Sequence, residues 1–190
     1  MKEAHILIFC GQSNMQGQSD KLSECDEVAN AFEYKFLDDA LIPLKNPVGE
    51  DIRYDGIVGQ QYTEKSNQKQ WLSEHVLGSA CYGHTNMVPA FCRAYIKETG
   101  VSVVAVHAAK GSTEIRDWLP NSDGYRMLVA KGSAAIRKAK KEFCVKHIGF
   151  IWLQGESDAV AASSRKYYKE KLTLLASALK DELNIERFGV

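Results

Sequence analysis

The chain has 190 residues, of which 45% are hydrophobic and 25% charged, and its 24 basic and 24 acidic residues give no net charge. This length predicts one domain with a hydrophobic core. The absence of excess positive charge removes any global electrostatic reason to bind nucleic acid or an anionic membrane. The short basic run at 137–141 is predicted to be the solvated face of a helix.

The five cysteines and the N-terminal segment indicate the cellular compartment. Five is an odd number and the spacing matches no metal-binding motif, so we predict neither a disulfide framework nor a metal site. Cys10 and Cys144 lie in apolar segments and are expected to be small buried hydrophobes. The apolar run near the N-terminus is too short for a signal peptide or a membrane span. We therefore expect a cytoplasmic protein without membrane contact; the sequence predicts no oligomeric state.

The predicted elements alternate between strands and helices. Continuous apolar runs indicate buried parallel strands, and apolar residues recurring every three or four positions indicate helices. This alternation predicts a doubly wound α/β domain with a central parallel sheet. In chain order we predict a strand at 4–10, a helix at 86–98, a strand at 101–109, a helix at 125–143, a strand at 147–154 and a helix at 164–183.

Residues 20–80 depart from this alternation. They contain Pro43, Pro47 and a polar run at 63–70, and their apolar periodicity is weak. We predict a long, partly irregular excursion with one short strand that walls the substrate site.

Each of the three predicted strands ends in a turn of small and polar residues. These turns are Gly11–Met15, Lys110–Thr113 and Gln154–Asp158. Ligands of open α/β sheets bind beyond the carboxyl ends of the strands, so we expect the turns to meet in one site. Turn or capping chemistry explains each turn taken alone, but three at one edge favour a site.

Ser13 is the candidate nucleophile of this site. It follows a strand and begins a predicted helix, where backbone N–H groups and the helix dipole suit a developing oxyanion. Gly111 lets a second backbone N–H approach the same point, and the Gln154 side-chain amide is a third candidate donor. Glu156 is the candidate acid that orients a histidine, with a capping carboxylate as the alternative.

Other residues near the turns are candidates for substrate binding or for structure. Gln12 and Asn14 frame the serine, and Asn14 is expected to bond the backbone across the turn or to touch substrate. Asp158 is a second acid, better explained as a helix N-cap. Trp71 and Trp118 are candidate platforms for a sugar ring, with core packing as the alternative.

Together, GQSNM at 11–15, KGST at 110–113 and WLQGESD at 152–158 resemble the SGNH hydrolases. More narrowly, they resemble the sialate O-acetylesterase and acetylxylan esterase branch, carbohydrate esterase family 6. The resemblance covers essentially residues 1–190 and implies a single domain with the flavodoxin-like, three-layer α/β/α sandwich fold. It also implies hydrolysis of carbohydrate acetyl esters in two steps, without metal or cofactor.

The same resemblance implies a role for each site residue. Ser13 would attack the acetyl carbonyl, and the N–H groups of Ser13 and Gly111 with the Gln154 amide would hold the oxyanion. Glu156 would play the acidic role of the Gln-Gly-Glu turn, within a serine–histidine–acid logic.

The catalytic histidine is where the sequence departs from the resemblance. Family members carry it near the C-terminus in an Asp-x-x-His element beyond the next strand, and this chain ends at Val190 as that strand begins. We therefore expect a C-terminally incomplete domain with an unpaired sheet edge that self-associates. Among the histidines present, His75 and His84 could reach the edge of the site. The others fall at the starts of predicted strands or within one: His5, His147 and His107.

Three functions stay open from the sequence. The first is an esterase that removes O-acetyl groups from a carbohydrate or oligosaccharide. The second is a non-catalytic carbohydrate-binding relative, or an inactive fragment, that keeps the pocket and lacks the base. The third is another SGNH acyl-ester or thioester hydrolase. The sequence shows no continuous apolar helix or lid that would favour lipid, so the acetylesterase is the favoured function.

Overall fold

The structure is a computed structural model, and it describes residues 1–17, 27–50 and 85–190. Within these ranges a six-stranded sheet has the order β3-β2-β4-β1-β5-β6. The strands are β1 (Glu3–Gly11), β2 (Ala31–Lys35), β3 (Ala40–Pro43), β4 (Ser102–Ala109), β5 (Cys144–Leu153) and β6 (Arg187–Gly189). The helices are α1 (Ser13–Gln16), α2 (Val88–Thr99), α3 (Asp123–Glu142), α4 (Glu156–Val160) and α5 (Arg165–Leu183), with a 3₁₀ helix at Ile115–Trp118.

The predicted α/β fold is confirmed, with one difference in the sheet. β1 pairs in parallel with β4 on one side and β5 on the other, and β2 and β6 continue the parallel arrangement outward. β3 pairs antiparallel with β2, so the sheet is mixed instead of purely parallel. Both β2 and β3 lie inside the predicted excursion at 20–80, where we expected one short strand.

Helices cover the two faces of the sheet and divide the core in two. On one face, α3 and α5 pack over β1 and β5 through residues spaced by a helical turn, such as Leu175 and Leu179. On the other face, α2 and α1 contribute Val88, Cys92 and Met15 to a second apolar cluster. The predicted helices agree with these elements to within two residues at each end. None of the helices in the described ranges combines the length and the apolar character needed to cross a bilayer.

A buried ionic network fastens the segment that follows β3. Lys131 of α3 lies 2.7 Å from Glu50, which also accepts the Phe36 N–H at 2.9 Å. Beside this pair, Glu33 accepts the N–H of Gly49 at 2.7 Å and lies 3.2 Å from Lys35. Burial raises the pKa of Glu33 to about 7 despite the attraction of Lys35. Burial also acts against ionised Glu50, but Lys131 together with the N–H groups of Phe36 and Leu37 outweighs it and lowers the Glu50 pKa below its ordinary value.

A cavity of about 370 Å³ lies at the opposite end of β1 and β5 from the three turns. Leu7, Phe91 and Ile151 line it, together with His5 and His147. The His5 Nδ1 atom lies 2.7 Å from the Tyr95 hydroxyl, and its ring centroid lies 4.8 Å from that of His147. Burial, followed by the neighbouring His147, lowers the pKa of His5. These two histidines therefore lie far from the turns, as predicted.

Candidate active site

The three predicted turns meet at one edge of the sheet because their strands are adjacent and in register. Gly11 at the end of β1 pairs with Ala109 at the end of β4 and with Leu153 at the end of β5. A side chain at Gly11 would place its Cβ 1.9 Å from the Leu153 carbonyl oxygen, so this close approach requires glycine. The three turns, which begin directly after these strands, therefore lie next to one another.

Ser13 begins α1 immediately after β1. Its backbone carbonyl accepts the Gly17 N–H at 2.9 Å, and its side chain is half-buried. Within the described residues, its Oγ has no hydrogen-bond partner. α1 has only 4 residues, so the dipole that the sequence led us to expect behind Ser13 is that of one helical turn.

Gln12 joins the first turn to the third. Its side chain is buried, and its Oε1 accepts from Gln154 Nε2 at 3.1 Å, from the Gly155 N–H at 3.3 Å and from the Ser157 N–H at 3.2 Å. A fourth bond runs from the Gln12 N–H to the Leu153 carbonyl at 3.1 Å. Gln12 thus acts as a clamp between the turns, whereas the sequence suggested a residue that binds substrate or the oxyanion.

Hydrogen bonds from β4 and from the second turn hold α1 in place, through the Met15 carbonyl and the Gln16 side chain. His107 is fully buried in β4, and its Nε2 lies 3.0 Å from the Met15 carbonyl, which can only accept. The Nε2 atom therefore carries the hydrogen, and His107 is a hydrogen-bonded core histidine. From the second turn, the Gly111 N–H donates to the side-chain Oε1 of Gln16 at 2.8 Å.

The Gln154 amide lies where all three turns touch. Its Nε2 lies 3.1 Å from Gln12 Oε1, 2.8 Å from the Thr113 carbonyl and 2.7 Å from Asp158 Oδ2. The Tyr168 hydroxyl lies 2.8 Å from Gln154 Oε1 and 2.7 Å from the Gln154 carbonyl oxygen. Sequence reasoning missed Thr113 and Tyr168 here.

Asp158 is not the helix N-cap that the sequence predicted. Gly155 occupies that position, and the Asp158 carboxylate is buried within the first turn of α4. Its Oδ2 accepts the Ile115 N–H at 2.7 Å as well as the Gln154 amide. Its Oδ1 is buried without a hydrogen-bond partner among the described residues. Asp158 therefore ties the segment after the second turn to the third.

Asn14 and Glu156 are exposed residues that meet between the first and third turns. The Asn14 Nδ2 donates to the Glu156 Oε1, which brings the predicted acid beside the residue that follows Ser13. Both side chains face solvent, so this is the side of the junction that a substrate can reach.

The two tryptophan candidates have different outcomes. Trp118 is fully buried, donates from Nε1 to the Thr113 hydroxyl at 3.0 Å and packs edge-on against Trp152 at 5.7 Å between centroids. Of the two alternatives for Trp118, core packing is confirmed and the sugar platform is not, because the ring belongs to the core. Trp71 lies outside the described residues, as do His75 and His84.

The remaining sequence predictions concern cysteines and metals. Cys10 is buried as expected, whereas Cys144 is only half-buried at the start of β5. Among the described residues, no group of His, Cys, Asp and Glu side chains has the arrangement of a metal site.

Comparison with known proteins agrees with the fold and identifies the family. A family model described as carbohydrate esterase, sialic acid-specific acetylesterase matches residues 3–190. A solved protein of Arabidopsis thaliana superposes with a TM-score of 0.66 at 22% identity, over 95% of this chain and 69% of that one. The structure of NanS superposes with a TM-score of 0.64 at 16% identity, over 98% of this chain and 66% of that one. At such identities the two likenesses show the fold alone.

A comparison by sequence with curated proteins finds no match. The family model, however, spans nearly the whole chain. The chain therefore belongs to the sialic acid-specific acetylesterase family of carbohydrate esterases.

Proposed function

We propose that the chain hydrolyses O-acetyl esters of carbohydrates, with Ser13 as the nucleophile. The observation that carries the proposal is the place of Ser13. It follows β1, half-exposed, at the edge where the turns after β1, β4 and β5 are joined by direct hydrogen bonds. Membership of a carbohydrate esterase family supports the acetyl ester as substrate. The chain spans 69% and 66% of the lengths of the two solved proteins named above, and its activity as an esterase is proposed on the site and the family together.

The proposed reaction has two steps. The Ser13 Oγ attacks the acetyl carbonyl, and its proton passes to a base while a tetrahedral oxyanion forms. Collapse of this intermediate expels the sugar hydroxyl, which takes up the proton, and leaves acetyl-Ser13. Water then attacks the acetyl-serine, and acetate leaves as the serine regains its proton. The Ser13 and Gly111 N–H groups and the Gln154 amide are the proposed oxyanion donors.

Two of these donors already have acceptors within the protein. The Gly111 N–H is bonded to Gln16, and the Gln154 amide has Gln12 as one of its partners. The two acceptors named here, on Gln16 and Gln12, are neutral side-chain carbonyls. A full negative charge on an oxyanion is a stronger acceptor for the same hydrogens, so substrate can take them over as charge develops.

The described histidines do not supply the base. His107 uses its Nε2 hydrogen on Met15 within the core, and His5 and His147 lie at the other end of the strands. Glu156, bonded to Asn14, is the proposed acid that orients a histidine at the exposed side of the site. Of the histidines outside the described residues, His84 is the first to test.

Hydrolysis of p-nitrophenyl acetate by the 190-residue chain, beside Ser13→Ala, tests the proposal. We expect Ser13→Ala to lower kcat/KM by about a thousand-fold or more. Ser177→Ala, on the exposed surface of α5, is the matched control and should not change the rate. His84→Ala run in parallel asks whether that histidine is the base. Equal rates for wild type and Ser13→Ala would contradict the assignment of the nucleophile.

The acyl and sugar groups are tested by competition. An acetylesterase should hydrolyse p-nitrophenyl acetate in preference to the octanoate ester, whereas a lipase-like or thioesterase activity would accept the long chain. Release of acetate from O-acetylated sialic acid and from acetylated xylo-oligosaccharide then separates the two carbohydrate classes.

A further inference from the structure

We propose that Asp158 and Tyr168 are positioning residues, which hold the Gln154 amide so that its N–H groups face the turn that carries Ser13. The proposal rests on the proposed esterase function, in which this amide binds the oxyanion. It concerns residues that neither touch substrate nor take part in bond making. Their effect would be exerted on the orientation of one side chain.

The orientation of the Gln154 amide follows from which of its neighbours can donate. Trp152 Nε1 lies 3.0 Å from the Tyr168 hydroxyl, and an indole N–H can only donate. The hydroxyl oxygen therefore accepts from Trp152, and its own hydrogen points to Gln154, at 2.8 Å from Oε1. The Gln154 carbonyl oxygen, at 2.7 Å, is the other acceptor for this hydrogen, so the Tyr168 side favours the amide oxygen and the acceptors on the opposite side fix it.

The opposite side of the amide gives the same answer. The Thr113 carbonyl at 2.8 Å only accepts, and Asp158 Oδ2 at 2.7 Å is already the acceptor of the Ile115 N–H. Rotating the amide by half a turn would place its oxygen against both of these oxygens. Only the observed orientation, with Nε2 toward Asp158, satisfies every neighbour.

The fixed amide has one contact that it can exchange. Nε2 carries two hydrogens but lies within hydrogen-bond distance of three acceptors. The longest contact, 3.1 Å, is the one to Gln12, the residue directly before Ser13. While Asp158 retains one hydrogen, the other can pass from Gln12 or Thr113 to an oxyanion formed at Ser13.

Burial makes Asp158 and Tyr168 suitable for this task. The Asp158 side chain is 2% exposed, so water does not compete for its Oδ2. Tyr168 is half-buried, and burial raises the pKa of its hydroxyl, which therefore keeps its hydrogen through the neutral range. Asp158 reaches Gln154 from α4, and Tyr168 reaches it from α5, the helix whose apolar residues pack in the core over β1 and β5.

The test is a kinetic cycle on p-nitrophenyl acetate. Tyr168→Phe removes one hydroxyl and should lower kcat by about tenfold with little change in KM. The reason is that the orientation of the Gln154 amide matters only when negative charge develops on the acetyl oxygen in the transition state. In a Gln154→Ala background the same substitution should change kcat less than about twofold, since no amide is left to position. Tyr34→Phe, which removes another internal hydroxyl bond far from the turns, is the matched control. An equal loss from Tyr168→Phe in both backgrounds would mean a purely structural role and overturn the proposal.

Asp158 is tested by partial rescue. Asp158→Asn retains one oxygen that can accept from Gln154 and Ile115, so its kcat should exceed that of Asp158→Ala. Thermal unfolding of each variant shows whether it is folded. If Asp158→Ala does not fold, Asp158→Asn in the wild-type and Gln154→Ala backgrounds gives the same cycle. Equal losses in the two backgrounds would exclude Asp158 as a positioning residue.

A second readout does not depend on catalysis. The side-chain amide signals of Gln154, assigned by their loss in Gln154→Ala, report its orientation in ¹H–¹⁵N spectra. We expect the two amide protons to shift and to exchange faster in Tyr168→Phe and Asp158→Asn. Unchanged signals in both would overturn the proposal. If wild type and Ser13→Ala are equally inactive, the proposed function fails while these spectra still decide on positioning.

Discussion

Gln12 allows a sharp distinction between a substrate contact and a structural clamp. Gln12→Met removes the amide but nearly retains the volume, so that no cavity is added to the effect. The change would leave the N–H groups of Gly155 and Ser157 without their acceptor inside the protein. Gln154 would keep its two other partners and contribute little.

The expected loss follows from those two backbone groups. A buried donor left unpaired costs about 1–3 kcal/mol. Both N–H groups are part-buried, so each falls at the lower end of that range, and together they give a loss of about 2 kcal/mol in the free energy of unfolding. That is a large fraction of the roughly 5–15 kcal/mol that stabilises a typical domain. The neighbouring Asn14→Ala is the matched control. Asn14 is exposed and bonded to an exposed carboxylate, so we expect a loss below about 1 kcal/mol.

Urea unfolding followed by tryptophan fluorescence measures both variants, because Trp118 and Trp152 are buried beside the turns and report their disruption. A Gln12→Met variant within about 1 kcal/mol of wild type but with a raised KM for acetyl esters would refute the reasoning. Gln12 would then face substrate, as the sequence suggested.

Two further predictions concern stability and association. The pKa of Glu33 is raised from 4.5 to about 7. Between pH 4.5 and about pH 7 the folded state therefore keeps a proton that the unfolded state has released. The free energy of unfolding falls as the pH rises through this window. The expected fall in the free energy of unfolding is about 3 kcal/mol. Glu33→Gln should remove this fall, which urea unfolding at pH 4.5 and pH 8 measures. The same pH dependence in wild type and Glu33→Gln would contradict the prediction. The outer edge of β6 has no partner strand within the described sheet and adjoins the cavity of about 370 Å³. We expect self-association of the 190-residue chain, and sedimentation velocity showing a monomer at every concentration would contradict this.

The sequence predicts the central strands well for a physical reason. β1 and β4 are buried on both faces for nearly their whole length, so their residues form continuous apolar runs, and the buried second half of β5 continues this pattern. β2 is also buried but carries Glu33 and Lys35, whose side chains are 2% and 4% exposed. Two charges in a five-residue strand resemble a solvent-facing segment. Only the pairing of these charges with each other and with the Gly49 backbone makes their burial possible, and that pairing cannot be read from β2 alone.

In the site, too, the position of a residue could be predicted from the local sequence, whereas its hydrogen-bond partners could not. Ser13, Gly111 and Gln154 could be assigned to one edge because strand ends of a parallel sheet converge there. The role of each polar side chain depends instead on contacts across 41 to 145 residues of sequence, such as those of Gln154 with Thr113 and of Ser157 with Gln12. A capping carboxylate and a buried cross-link look identical in sequence, which is why the prediction for Asp158 was wrong.

The hydrogen bonds indicate that the first turn holds the other two turns in position. Gln12 Oε1 receives the amide of Gln154, and Gln16 Oε1 receives the N–H of Gly111, so each glutamine holds one of the two proposed oxyanion donors that come from the other turns. Both glutamines lie within three residues of Ser13, one on each side of it. Any displacement of the serine therefore moves the acceptors that keep the donors in place. This coupling keeps the nucleophile and its proposed oxyanion donors in a constant relation, with neutral carbonyl oxygens in the places that a developing oxyanion would take over.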